Sequence, residues 1–171
     1  NGDFTLLIGS TDMGTGSDTI LAQMAAEVLE VSLKQIIVNA ADTDISPFDP
    51  GSYASSTTYV TGMAVVRAAE ELKQQIIGEG AGFLQVSAEE VEFNGYTVRV
   101  TGTEKMISLK KVAERLVVGP GNRQLVGNAT YGSPISPPPF IAGFAEVEVD
   151  KETGKVELVD YVAVVDCGTV I

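Results

Sequence analysis

The sequence predicts an α+β fold, with a mixed or antiparallel sheet and two main helices. Three observations predict it. Short apolar runs bounded by Gly, Pro, Asn and Asp read as strands. Two longer stretches repeat apolar residues at helical spacing. Asn94-Gly95 stands between Val91-Glu92-Phe93 and Tyr96-Thr97-Val98-Arg99-Val100, which is the strongest short hairpin signal. The 171 residues suit a single domain with a buried core.

The elements follow in order. Phe4-Thr5-Leu6-Leu7-Ile8-Gly9 reads as a strand, and residues 10–16 as a turn. A helix comes next, with Ser17 or Asp18 as its cap and a stripe of Ile20, Leu21, Met24, Ala25, Val28 and Leu29. Residues 32–35 make a short turn and Ile36-Ile37-Val38-Asn39 a buried strand. Residues 40–55 form a loop, long for a compact domain and therefore marked as functional. The second helix is expected over about 57–77. Val60, Ala64, Ala68, Leu72 and Ile76 line one face, and Gly78 ends it. Ser108 opens a short helix over 109–116. Residues 117–140 are rich in Gly and Pro and read as a rigid surface segment. A final hairpin pairs 143–149 with 155–165, and its Ala145-Glu146-Val147-Glu148-Val149 alternation implies one buried and one wet face. The apolar first and last runs lack polar tails, so the chain is expected to be a piece of a longer protein.

Composition excludes several kinds of function. Eleven Lys plus Arg against 23 Asp plus Glu give a net charge of −12, which repels phosphate backbones and argues against nucleic-acid binding. No apolar run reaches the roughly 20 residues of a membrane-spanning helix, and the first residues carry no secretion signal, so no membrane partner and a cytoplasmic location are expected. There is no His and one Cys. That removes Ser-His and Cys-His catalysis and cysteine-built zinc sites. Cys167, inside the last apolar run, reads as a buried inert thiol. Asp42, Asp44 and Asp49 miss the calcium-loop spacing, and Glu70 and Glu71 read as a solvated helix face. No general acid–base pair emerges, so no catalytic or metal-ligating residue is assigned.

Two segments remain as candidates. In Gly14-Thr15-Gly16-Ser17-Asp18-Thr19 a glycine turn meets a helix start, where backbone amides and the helix dipole suit an anion. The same residues suit a plain tight turn with an ordinary cap. It is neither a P-loop nor a dinucleotide fingerprint, since the Lys and the third Gly are missing. The run 51–59 is dense in hydroxyls before the second helix, either around a polar cofactor or as a solvated loop.

Three longer stretches stand in a telling order. The first is Asp12-Met13-Gly14-Thr15-Gly16-Ser17-Asp18-Thr19, with Gln23 and Ala25-Ala26-Glu27 after it. The second is Asp42-Thr43-Asp44, Pro47, Gly51-Ser52-Tyr53-Ala54-Ser55-Ser56-Thr57 and Gly62-Met63-Ala64-Val65. The third is Gly143-Phe144-Ala145-Glu146-Val147-Glu148-Val149-Asp150, Glu152-Thr153-Gly154-Lys155-Val156 and the closing Val165-Asp166-Cys167-Gly168-Thr169-Val170-Ile171. Together they resemble the molybdenum hydroxylase family of xanthine dehydrogenases, aldehyde oxidases and 4-hydroxybenzoyl-CoA reductases. The chain is similar to an internal fragment of the molybdopterin-binding large subunit.

The resemblance implies a molybdenum cofactor held through molybdopterin, often as its cytosine dinucleotide in bacteria. Partners would be the remainder of the large subunit, iron-sulfur and FAD-bearing flavin modules, and a small-molecule substrate. The implied reaction is hydroxylation of an aromatic heterocycle or aldehyde with water, or a reductase variant. Cofactor contacts carry over to Met13, Gly14, Thr15 and Gly16 in the first turn and to Ala54, Ser55, Ser56 and Thr57 in the second. Many members have Gln where this chain has Thr15, so backbone contacts are implied there more than a side-chain one. The family's catalytic Glu lies beyond Ile171, so the piece alone is expected to be inactive. The alternative is a stand-alone, non-catalytic module that binds an anion or a protein partner.

Overall fold

The computed structural model describes residues 2–119, 122–135 and 137–171. Asn1 of the first run, and Pro120, Gly121 and Ser136 of the Gly/Pro-rich segment, lie outside the described residues. By internal contacts the chain divides into two compact units, Asn1–Ser133 and Pro134–Ile171. Strand pairs of both parallel and antiparallel kinds occur, with two main helices and a shorter third.

In the first unit, β1 (Phe4–Ile8) leads to α1 (Ser17–Leu29) and then to β2 (Ile36–Ala40). β2 pairs parallel to β1, with Phe4 opposite Ile36 and Ile8 opposite Ala40. A parallel pair cannot be closed by a tight turn, so it needs a crossover, and α1 supplies it. Leu21, Ala22, Ala25, Ala26 and Leu29 form the buried stripe of α1. They pack on Ile8 and Ile36 of the strands and on Val65 and Ala69. The helix stops at Glu30, whose left-handed backbone (φ 57°) turns its N–H onto the Ala26 and Glu27 carbonyls. Gly16 is the N-cap, so the expected caps Ser17 and Asp18 are the first helical residues instead.

After the long loop, a π-helical turn at Thr57–Thr61 runs directly into α2 (Gly62–Leu84). Gly78 does not end this helix: it lies in the interior, and the chain turns away at Gln85. Seven residues more of helix keep Gly80, Ala81 and Leu84 buried, and that packing outweighs the weak helix preference of glycine. The buried face also differs from the expected stripe. Val65, Ala69, Ile76, Gly80 and Leu84 are buried, while Ala64 and Ala68 are only half-buried. Steps of four residues overshoot the 3.6-residue turn, so a stripe drawn at fours winds off the face that meets the core.

β3 (Val91–Phe93), β4 (Thr97–Val100) and β5 (Met106–Ser108) form an antiparallel sheet, followed by α3 (Leu109–Val118). The hairpin sits where Asn94-Gly95 placed it. Asn94 Oδ1 accepts the N–H groups of Tyr96 and Thr97, at 3.2 and 2.9 Å, and Gly95 takes φ +82°. β5 has no signature in the sequence, since three residues carry no periodicity. The Ser108 hydroxyl caps α3 by accepting the Lys111 N–H at 3.2 Å. The core here joins Ile76 and Leu84 to Phe93, Val98, Ile107, Val112 and Leu116.

Between Val126 and Tyr131 the Gly/Pro-rich segment is tied to α2. Gln75 Nε2 donates to the Val126 carbonyl at 2.9 Å, and the Asn128 N–H donates to Glu71 Oε2 at 2.9 Å. Farther on, Tyr131 stacks under the Arg67 guanidinium at 4.7 Å and edge-on to Tyr59 at 6.2 Å. The segment thus runs back along α2, from Gln75 toward the helix start. Glu71 is exposed, yet it holds this strap rather than only solvent.

In the second unit, β6 (Phe140–Val149) and β7 (Val156–Asp166) form an antiparallel hairpin with an irregularity between Glu146 and Val147. Val147 faces Leu158 and Val149 faces Val156, while Glu148 faces Glu157 on the other side, so the alternation does sort apolar from charged residues. The expected buried face is a correction: every residue of both strands is exposed, because among the described residues of this unit no third element packs on the apolar side. Cys167 is a correction: it lies one residue past β7 and is exposed, not buried in a strand. A turn at Asp166-Cys167-Gly168, with Gly168 at φ +76°, breaks the apolar run before the thiol.

Candidate functional site

Parallel pairing decides where the two candidate loops begin. Ile8 and Ala40 end their strands side by side, and the Ala41 N–H bonds the Ile8 carbonyl at 3.1 Å. Loops leaving neighbouring parallel strands at their carboxyl ends share one edge of the sheet, the usual place for ligands in βαβ units. The loops touch close to that edge. A β-carbon on Gly9 would lie 2.1 Å from the Pro47 carbonyl oxygen and 2.8 Å from Asp49 Cβ, so only a glycine lets them meet. The helices that follow are also neighbours. Gly62, the first residue of α2, lies against Met24 and Leu21 of α1, where a β-carbon would sit 2.7 Å from the Met24 sulfur.

The first loop is organised by Asp12. Its Oδ1 accepts the backbone N–H groups of Gly14, Thr15 and Gly16 at 2.8, 3.0 and 3.1 Å. The Gly14 hydrogen bond is foremost in holding the Asp12 carboxyl below the usual carboxylate range; burial opposes it, and the Gly16, Asp18 and Thr15 amides add to it. This corrects the expected chemistry of the turn. The amide cluster does carry an anion, but the anion is the protein's own carboxylate, so these N–H groups are not open to an outside phosphate. What remains presented is different. Met13 and Thr15 are exposed, and Gly14 (φ +93°) and Gly16 (φ +74°) have open space where a β-carbon would stand. Behind them the hydroxyls of Ser10 and Ser17 are buried with no hydrogen-bond partner among the described residues.

The second loop is strained. Ala54 and Ser55, neither a glycine, take φ +52° and +57°. The left-handed region costs such residues about 1–2 kcal/mol each, so the surroundings must hold them there. Thr57 Oγ1 donates to Ser52 Oγ at 2.7 Å, and Ser56 Oγ donates to the Gly51 carbonyl at 3.5 Å. The Ser56 and Thr57 hydroxyls are therefore used within the loop, while Ala54 and Ser55 are exposed. A π turn then starts the helix, a form often found at functional sites. Asp49, which in the sequence carries no signal beyond that of one more acidic loop residue, has a positional role here. Its Oδ1 accepts the Gly51 N–H at 2.8 Å and its Oδ2 accepts the Thr61 hydroxyl at 3.1 Å. Among the described residues, no group of three or more Cys, Asp or Glu is placed to hold a metal ion.

Neither 9–16 nor 41–56 contains Lys or Arg, while Asp12, Asp42, Asp44 and Asp49 all lie there. Such a surface repels phosphate and suits a neutral ring edge read by hydroxyls, carbonyls and close backbone. Arg67 of α2 lies over the Tyr131 ring, and that ring is edge-on to Tyr59 of the Thr57–Thr61 turn.

Comparison with known proteins gives this edge its context. Residues 1–171 match the family described as molybdopterin cofactor-binding domain. The chain is 38 % identical over 169 residues to the probable hypoxanthine oxidase XdhD of Escherichia coli K12, covering 99 % of this chain and 18 % of that protein. It is 33 % identical over 175 residues to the putative xanthine dehydrogenase molybdenum-binding subunit XdhA of the same strain, covering 100 % of this chain and 23 % of that one. Among solved structures it superposes on CO dehydrogenase from Oligotropha carboxidovorans with a TM-score of 0.81 at 29 % identity, over 94 % of this chain and 20 % of that one. Quinoline 2-oxidoreductase from Pseudomonas putida 86 gives the same TM-score, 0.81, at 27 % identity, over 96 % and 22 %. The chain thus spans about a fifth of the length of these relatives. With the full length matched and the fold shared, the chain belongs to the molybdopterin cofactor-binding domain family.

Proposed function

We propose that this chain is part of the cofactor-binding region of a molybdenum-dependent oxidoreductase, and that the edge after β1 and β2 is its contact with molybdopterin. The observation that carries the reading is the parallel register of Ile8 and Ala40, which starts both loops from one sheet edge. The residues fit part of the group. Gly14 and Gly16 leave space for close backbone approach, and Met13 and Thr15 flank it. Ala54, Ser55, Ser56 and Thr57 form the opposing contact, with Ala54 and Ser55 exposed and Ser55 bringing a hydroxyl. Asp12 fills the amide cluster, so these loops would hold a neutral part of the cofactor such as the pterin rather than its phosphate.

When bound, the cofactor supplies two-electron redox chemistry. In the full-length protein this would support hydroxylation of an aromatic heterocycle or aldehyde, with water as the oxygen source, two electrons leaving through iron-sulfur and flavin partners and two protons passing to solvent. The two loops bind and orient, and no residue of this chain exchanges a proton with substrate. By itself the chain is inactive.

The test is the metal and pterin content of the full-length gene product, purified from a host that makes molybdopterin. Stoichiometric molybdenum, lost when Gly14 and Gly16 are both replaced by Val, is the expected result. A correctly matured protein that holds none overturns the reading and leaves the non-catalytic module.

A further inference from the structure

The second loop holds two left-handed non-glycine residues, and one side chain, that of Asp49, bonds both ends of the segment that contains them. Between Gly51 and Thr61 lie two consecutive left-handed non-glycine residues, Ala54 and Ser55, and then the π turn. Nothing in the local sequence favours either form, so they persist only where the two ends of the segment are fixed. Asp49 fixes both. One oxygen accepts the Gly51 N–H at 2.8 Å, where the segment begins. The other accepts the Thr61 hydroxyl at 3.1 Å, twelve residues along the chain and at the end of the π turn. The backbone of Asp49 is itself seated on the first loop, since a β-carbon on Gly9 would fall 2.9 Å from the Asp49 nitrogen. Asp49 is half-buried, so water competes with these bonds less than at an open surface.

We infer that Asp49 is a positioning residue. Through Gly51 and Thr61 it holds the Ala54–Thr57 turn in the shape that meets the cofactor, and through its contact with Gly9 it ties that turn to the Met13–Gly16 loop. The inference rests on the reading above of where the cofactor binds. Asp49 touches neither cofactor nor substrate in this role: its effect passes through the backbone it closes.

The variants are Asp49→Ala, Asp49→Asn and Thr61→Val in the full-length gene product. Amide hydrogen exchange of residues 51–57 is followed without and with cofactor, alongside the rate at which pterin fluorescence is released. Asp49→Ala and Thr61→Val are each expected to speed exchange in 51–57 by about tenfold, the loss of one hydrogen-bonded closure, while exchange in α3 stays unchanged. Pterin release should quicken in the same order. Asp49→Asn keeps an acceptor for Gly51 and a partner for the Thr61 hydroxyl, so it should rescue most of the effect. The double variant Asp49→Ala/Thr61→Val should be no faster than Asp49→Ala. Unchanged exchange in 51–57, or independent additive effects, overturns the inference. Should Asp49→Ala fail to fold, Thr61→Val, which removes one hydroxyl at constant size, decides the matter. Cofactor that protects neither 13–16 nor 54–57 in the unaltered protein refutes the proposed binding site instead, and the exchange of the cofactor-free variants still judges the clamp.

Discussion

Gly80 of α2 rests directly on Val98 of β4: a β-carbon at Gly80 would lie 2.6 Å from Val98 Cγ2 and 2.7 Å from its Cβ and Cγ1. Val98 is fully buried and stiff at its branched β-carbon, so it cannot step aside. Gly80→Ala is therefore expected to destabilise the chain by about 1–3 kcal/mol, despite alanine's better helix preference. Gly78, two residues earlier on the same helix, faces open space. There the same change should stabilise by about 0.5–1 kcal/mol. Urea unfolding of the two variants checks both signs; equal shifts would show that packing on Val98 does not set the helix position.

Asp12 gives the first loop a pH dependence. Its carboxyl titrates below the ordinary value of 3.8 because the folded turn donates hydrogen bonds to the charged form, Gly14 first among them. As pH falls, the unfolded chain takes up this proton before the folded one does. The contribution is thus fully present above the unfolded value and fades as pH drops through the lower folded value. The amide signals of Gly14 and Gly16 should titrate with a midpoint below pH 3.8. In Asp12→Asn that titration should vanish. A midpoint above 3.8 for these amides would contradict the assignment.

The strap beside α2 depends on Gly127. A β-carbon there would come within 2.0 Å of the Ala68 carbonyl oxygen, which is backbone and cannot rotate away. Gly127→Ala should lift the strap and pull Tyr131 from the Arg67 guanidinium, now 4.7 Å away. The expected cost is about 1–3 kcal/mol, with loss of the upfield ring-current shift on the Arg67 side-chain protons. A variant that keeps that shift would mean that Tyr131 is held independently of the strap.

The sequence by itself determined the local structure. Helical spacing marked α1, Asn94-Gly95 marked the β3–β4 hairpin, Ser108 marked the start of α3, and the alternation around Glu146 and Glu148 marked the final hairpin. Each is written in neighbours a few residues apart, where hydrogen bonding and burial are local choices. The ordered motifs also carried the family resemblance. Tertiary structure decided the rest. Where α2 ends was settled by packing on Val98 and not by Gly78, because burial over a whole helix face exceeds the preference of one residue. That the amides of Gly14, Thr15 and Gly16 close on Asp12, and that Asp49 spans Gly51 and Thr61, depends on where carboxylates fall once the backbone bends. No spacing rule encodes that. The meeting of the two loops at Gly9 and Pro47 is a property of parallel strand pairing, which brings together residues nearly forty positions apart that share no pattern along the chain.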